Sequence, residues 1–289
     1  MNSIKRFPLD QQQYQLIDFG CNEKLEFFGG KIVRRETPSA PGSKNIGTDW
    51  DCAELTFKLG QPKPRWEGES GVDWFMEFGS NRFNLRQTPT GQVGVFPEQA
   101  VNWNWIDQLP IELSGVKALN LFAYTGGTTL ALAQRGAQVV HCDAAKSVVN
   151  WARSNAESSG LQKAPIRWIV EDALTFVRRE IKRGNKYQIV VADPPSFGRG
   201  PGGESWKIQR DLKALIQGLA ELSGDEVLMI LISCHTPELD HVSLRSTVSS
   251  SFRLGAIGAD HGESLELKIP ASSGKSLASG QCFRWFSNG

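Results

Sequence analysis

The stretch that most constrains this chain is Lys117–Gly127, KALNLFAYTGG. Ala118 to Phe122 are almost all apolar and read as a short strand buried on both faces. A small-residue turn, Ala123-Tyr124-Thr125-Gly126-Gly127, follows. Leu130 and Ala133 then mark one face of a helix that Gly136 stops. Strand, glycine turn and helix form the front half of a nucleotide-binding βαβ unit. The glycines let backbone approach a ligand, and the helix N-terminus offers N–H groups. The turn is not G-x-G-x-x-G, so a dinucleotide pyrophosphate is not the first expectation.

Downstream, strands and helices alternate. Strands are expected at Val139–Asp143, Ile166–Val170, Tyr187–Ala192, Val227–Ile232, near Arg253–Ile257 and at Gln281–Phe286. Helices are expected over Lys146–Ala156, with Val148, Val149, Ala152 and Ala156 inward, around Leu174, Val177 and Ile181 up to Gly184, and near Glu238–Val248. Leu212, Leu215, Ile216, Leu219 and Leu222 form the clearest helical stripe. Ala271–Gly280 reads as a hairpin loop. Such alternation predicts a doubly wound α/β fold with a mostly parallel sheet covered on both faces.

Residues 1 to about 110 have a different texture. Short runs (Tyr14–Phe19, Phe27–Val33, Leu55–Leu59, Trp74–Phe78, Arg82–Leu85) are separated by Gly, Pro and Asn clusters. They predict a mostly antiparallel, β-rich N-terminal region over residues 1–91, serving as lid or substrate platform, with residues 92–289 as the doubly wound domain. Trp50, Trp66, Trp74, Trp103 and Trp105 fall in or just after it and either fill a thin core or stack on bases.

Polar residues gather at the expected carboxyl ends of strands, where open α/β sheets bind ligands. Asp143 lies 17 residues after Gly126, near the ~20 expected for a carboxylate on ribose hydroxyls. Asp172 ends the third strand and can accept from an adenine amino group or cap the next helix. Asp193-Pro194-Pro195-Ser196-Phe197 ends the fourth. Its prolines fix φ and lack donors, so their carbonyls are expected to face a ligand. Asp193 can accept from an exocyclic amine and Phe197 can stack on a base. Gly198–Ser205 is too Gly-rich for regular structure and reads as a mobile lid or solvated loop, with Arg199 in reach of a phosphate. Cys234 ends the fifth strand, either as a nucleophile or as an inert core thiol. His235 either lowers the thiol pKa or caps the next helix.

These motifs, in this order, resemble those of class I S-adenosylmethionine-dependent methyltransferases, over roughly residues 92–289. The likeness is strongest to the branch of large-subunit ribosomal RNA cytosine-5 methyltransferases, through the F-x-Y-T-G turn, the D-P-P-x-F motif and Ser233-Cys234. The resemblance implies a Rossmann-like sheet whose last strand is antiparallel. It implies cofactor contacts from Phe122, Tyr124, Thr125, Gly126, Asp143, Ala144, Asp172, Ala173 and Asp193. Gly94–Gln99 is similar to a segment approaching the cofactor from the side, which adds Phe96 and Gln99. Asp193, Pro194, Phe197 and Cys234 are the catalytic candidates.

Two reactions are then open. A Cys234 thiolate can add to C6 of a cytosine and make C5 the methyl acceptor. Alternatively, Asp193 and the Pro194 carbonyl hold an amino nitrogen that takes the methyl directly. The substrate is expected to be RNA, with a protein side chain or small molecule as the alternative and a non-enzymatic binding module as a third reading. A net charge of +1 gives no global basic field to grip nucleic acid. The five cysteines form no C-x-x-C pair, which suggests neither a zinc site nor a disulfide framework and fits a reducing cytoplasm. No apolar run is long enough to span a membrane.

Overall fold

Apolar runs set off by turn residues become the strands of a five-stranded sheet, a seven-stranded sheet and two two-stranded pairs in the computed structural model, which describes residues 8–60, 62–69, 71, 73–236, 239–252 and 262–287. The chain divides into two units. One is Met1–Asn104 with Lys268–Ser279; the other is Trp105–Leu267 with Gly280–Gly289. The division falls later than the domain boundary expected between residues 91 and 92.

In the first unit β1 (Tyr14–Gly20), β2 (Glu23–Phe28), β3 (Lys31–Glu36), β4 (Leu55–Lys58) and β5 (Arg65–Gly68) lie in sequence order. All pair antiparallel except β3 with β4. The run Phe27–Val33 is two strands rather than one, because Gly29 and Gly30 take left-handed φ of 51° and 97° and turn the chain. β6 (Trp74–Phe78) and β7 (Asn81–Leu85) form a separate antiparallel pair. Tyr14, Leu25, Phe28, Val33, Phe57, Met76 and Phe83 fill the core. Trp66 and Trp74 donate their indole N–H groups to the Thr88 and Phe28 carbonyls at 2.7 and 2.9 Å, so both serve packing. Glu26, buried, accepts from Tyr14 Oη at 3.0 Å and from Arg35 Nε at 2.9 Å. Arg35 also donates to the Gly91 carbonyl and to Gln92 Oε1, each at 3.1 Å. A buried pair of this kind persists only because its remaining donors are met.

Trp103 and Trp105 sit on a helix, α1 (Ala100–Asp107), just after the strands of the first unit. Their i, i+2 spacing imitates a strand, but Trp103 and Ile106, at i, i+3, are the buried pair.

The strands of the second sheet are β8 (Lys117–Leu121), β9 (Gln138–Asp143), β10 (Ile166–Val170), β11 (Ile189–Ala192), β14 (Met229–Cys234), β15 (Glu263–Pro270) and β16 (Ser276–Phe286). They run in the order β10-β9-β8-β11-β14-β16-β15. The five from β8 to β14 are parallel, and β16 is antiparallel to β14. This is the expected doubly wound Rossmann-like sheet. Its order reverses at β8, between β9 and β11, and a ligand crevice belongs at that switch. β11 and β14 are buried along their whole length, as central parallel strands must be.

The helices are α2 (Gly127–Gln134), α3 (Lys146–Ser158), α4 (Ala173–Lys182), α5 (Ile208–Ser223) and α6 (His241–Ser251). The whole α5 stripe is buried. On α3 the inward face is Val149, Trp151, Ala152, Asn155 and Ala156, and Val148 is only half-buried. The hairpin loop expected over Ala271–Gly280 is shorter. β15 precedes it, and Ser276–Gly280 already belongs to β16, because ladder partners override weak Ser and Gly strand propensity. Gly198–Ser205 is likewise not structureless. β12 (Phe197–Arg199) and β13 (Ser205–Lys207) pair antiparallel across it. The strand expected at Arg253–Ile257 lies outside the described residues, as does the expected helix start at Glu238.

Arg135, just after α2, donates to four carbonyls, those of Ile106 and Asp107 at 2.7 Å, Leu109 at 3.1 Å and Ile111 at 2.8 Å. These are the last carbonyls of α1 and the loop beyond it, which no helical N–H can reach. Arg135→Ala is expected to lower stability by about 2–3 kcal/mol, since bonds to a charged donor contribute more than neutral ones. A denaturant midpoint matching wild type would refute this.

Candidate functional site

The glycine turn departs from β8 through three left-handed residues, Phe122, Tyr124 and Gly126, with φ of 53°, 48° and 94°. Non-glycine residues in this region cost about 1–3 kcal/mol each and persist where surrounding contacts force them. Here the forcing contacts are visible. Tyr124 N donates to Asp143 Oδ2 at 2.9 Å. Ala123 N donates to the Cys142 carbonyl at 3.1 Å. Asn155 Nδ2, from α3, donates to the Thr125 carbonyl at 2.9 Å. A Cβ on Gly126 would stand 3.2 Å from Ala152 Cβ, so the turn lies tight against α3. Below it a buried chain of Asn120, Thr129 and His141, with links of 2.9 Å, ties β8, α2 and β9 together. Burial pushes the His141 pKa down to about 3 and keeps the imidazole neutral.

Asp143 closes the next strand. Its Oδ1 accepts from Ala145 N at 2.9 Å. Burial pushes its pKa up, against the pull of the Ala145, Tyr124 and Ala144 N–H groups. Each oxygen keeps a lone pair beyond its backbone bond, the arrangement a vicinal diol needs. Ala144 is half-buried beside it. Asp172 N-caps α4 through Oδ1, which accepts from Thr175 N at 2.9 Å, so the capping reading holds for that oxygen. Its Oδ2 and the Ala173 N–H at the helix start remain suited to a purine edge. α2 has no side-chain cap at its N-terminus. Phe122 packs on Trp206 of β13, ring centroids 4.9 Å apart.

Asp193 N donates to the Leu121 carbonyl at 3.4 Å, which sets the D-P-P loop beside the glycine turn. Pro194 is buried. The Pro195 carbonyl accepts from Trp206 Nε1 at 2.6 Å, so it does not face a ligand as expected. Ser196 Oγ meets Thr236 Oγ1 at 2.7 Å. Phe197 is 54% exposed, and Arg199 is exposed on the hairpin. Ser233 Oγ donates to Asp193 Oδ1 at 2.7 Å, and His235 Nε2 lies 3.1 Å from the same oxygen.

Cys234 faces the other way. Side chains alternate along a strand, so Cys234 joins Ile230 and Ile232 in the hydrophobic core with Leu215, Ile216 and Leu244. It is fully buried, and burial pushes its thiol up to about 11 despite a bond from the Thr236 backbone. Phe96 and Gln99 lie in the other unit, at the short 3₁₀ turn Pro97–Gln99, where Gln99 Oε1 accepts from Asn102 Nδ2 at 2.8 Å. Three positions escaped sequence reading. Asn155 and Trp206 act through long-range contacts with no local signal. Ser233 could have been found by strand alternation from Cys234. His235 does not cap α6, which Asp240 caps through Ser243 N. Among the described residues no cluster of three His, Cys, Asp or Glu side chains suits a metal, and no helix is long and apolar enough to cross a membrane.

A sheet in this order, with acidic strand ends around a left-handed glycine turn, is the architecture of an enzyme that takes a methyl group from S-adenosylmethionine. The chain belongs to the S-adenosylmethionine-dependent methyltransferase family, whose model matches residues 62–241. An S-adenosylmethionine-dependent methyltransferase from Agrobacterium tumefaciens shares 33% identity, with TM-score 0.85, over 95% of this chain and 90% of that one. Ribosomal RNA large subunit methyltransferase K/L of Shewanella frigidimarina is 32% identical over 50% of this chain and 20% of its own length. The K enzyme of Neisseria meningitidis serogroup B is 26% identical over 56% of this chain and 46% of its own. The chain thus spans between a fifth and about half the length of these curated relatives. S-adenosylmethionine is the cofactor, and it supplies an electrophilic methyl on sulfur.

Proposed function

We propose that this enzyme methylates a nitrogen of a nucleobase in ribosomal RNA, with Asp193 accepting a hydrogen bond from the target base. The observation that carries the choice of atom is Cys234, buried among Ile230, Ile232 and Leu244 with its thiol pushed up to about 11. The cytosine C5 route needs that sulfur as a thiolate against C6, and a thiol held protonated in the core weighs against it. A nitrogen acceptor brings its own lone pair and needs chiefly to be aligned, with reacting atoms ~3–3.5 Å apart. The Asp193 carboxylate suits that task, and Phe197, the exposed aromatic four residues on, suits a planar base. The names of the relatives support RNA over a protein side chain or a small molecule.

In this reading Phe122, Tyr124, Thr125 and Gly126 line the cofactor, Asp143 and Ala144 take its ribose, and Asp172 and Ala173 its adenine. Phe96 and Gln99 are candidates by the motif resemblance alone. Mass spectrometry of ribosomal RNA nucleosides from cells with and without the gene tests the substrate. A methylated purine or cytosine nitrogen is expected to disappear with the gene. Complementation with Cys234→Ala is expected to restore it fully. Loss of 5-methylcytidine, unrestored by Cys234→Ala, would overturn the nitrogen assignment.

A further inference from the structure

We infer that His235 is a positioning residue for methyl transfer, which together with Ser233 fixes the orientation of the Asp193 carboxylate. The inference rests on the reading of Asp193 as the group that receives the target base. Ser233 Oγ at 2.7 Å and His235 Nε2 at 3.1 Å converge on the same oxygen, Oδ1. Two donors on one oxygen set both the side-chain rotamer and the plane of the carboxylate, and therefore the direction in which it can meet a substrate N–H.

The imidazole is itself held. Behind it stands Gly280 of β16, with φ of 138°. A Cβ there would lie 2.6 Å from the Cys234 carbonyl oxygen, 2.8 Å from His235 Nδ1 and 3.3 Å from Cε1. Only a glycine leaves room for the ring in this place, and the strand backbone forms a wall at its back. Thr236, the next residue, bonds Ser196 at 2.7 Å, so the end of β14 and the D-P-P-S loop are joined on both sides of His235. The two side chains remain reachable, 30% exposed for His235 and 26% for Asp193. A ring placed between a glycine wall and the Asp193 carboxylate acts through that carboxylate.

The test uses the full chain with three variants, His235→Ala, His235→Gln and Asp193→Asn. Transfer of labelled methyl from S-adenosylmethionine is measured on ribosomal RNA from cells lacking the gene. Removing such a supporting partner is expected to cost about 10–100-fold in kcat, with KM and calorimetric affinity for S-adenosylmethionine unchanged. Glutamine keeps an N–H donor of similar reach and is expected to recover most of the loss. His235→Ala at the wild-type rate, or His235→Gln no better than His235→Ala, overturns the inference. A substrate-free measurement stands beside the assay. The ¹⁵N resonance of His235 Nε2 is expected to move in Asp193→Asn, and an unmoved resonance also overturns it. Failure of the wild type to methylate ribosomal RNA, with the resonance moving as expected, sinks the substrate reading alone.

Discussion

Asp193→Ala is expected to lower the rate of methyl transfer by about 10²–10³-fold, the scale seen when one preorganised polar group is removed from a reacting centre. The expectation follows from where Asp193 sits. Its own N–H reaches back to Leu121, at the edge of the glycine turn, and its carboxylate is steadied by Ser233 and His235. Truncation leaves the methyl acceptor without its partner while the cofactor turn, built from β8, β9 and α3, is untouched. Rapid-quench turnover with calorimetry in parallel separates the two. An unchanged rate would remove Asp193 from the chemistry.

Asp143→Ala is expected to weaken S-adenosylmethionine binding by about 1–3 kcal/mol, through loss of charge-assisted bonds. Part of that loss comes from the turn itself, because Asp143 Oδ2 also receives Tyr124 N, and Tyr124 has to hold a left-handed φ. Asp143→Asn keeps an acceptor and should lose less. Burial raises the Asp143 pKa. Only the ionised carboxylate accepts at both oxygens, and protonation turns one of them into a donor. Affinity is therefore expected to fall on acidification at a pH above the ordinary carboxylate range, and Asp143→Asn should flatten that fall. Titration calorimetry across pH, with equal affinity in wild type and Asp143→Ala, would sink the assignment.

Much of the second sheet was legible because its signals are local. Ile189–Ala192 is an uninterrupted apolar run, Ala118–Leu121 is broken only by Asn120, and the α5 stripe repeats at helical spacing. Carboxylates at the ends of such runs fall together once the sheet is parallel, so Asp143, Asp172 and Asp193 could be placed from order alone. What failed needed a partner far along the chain. The first half of β16 is a poor strand former that extends because β15 neighbours it in the sheet, whereas β15 alternates Leu265, Leu267 and Ile269 with polar residues, a local strand signal. Cys234 could not be oriented from composition, since an apolar strand buried on both faces gives its last side chain no preference. The register that sends Ser233 toward Asp193 and Cys234 into the core is set by pairing with β16, where Cys234 faces Gln281.

The return of Lys268–Ser279 to the first unit has a bearing on how the protein is made. Asp18 is buried, and burial alone would raise its pKa; Lys275 and the Asn45 N–H reverse that and hold the carboxylate charged. Lys275 lies 2.8 Å from Asp18 Oδ1 and donates to the Ser43 carbonyl, also at 2.8 Å. Ser272 N and Ser273 N bond the Leu16 and Ile17 carbonyls at 2.9 and 3.2 Å. A ribosome emits the chain from its N-terminus at about 5–20 residues per second. β1 therefore exists long before the cation that neutralises its aspartate, and an uncompensated buried charge is strongly unfavourable. The unit that begins first is completed almost last, so translation that stops short of Lys275 yields a β1 edge open to other partners.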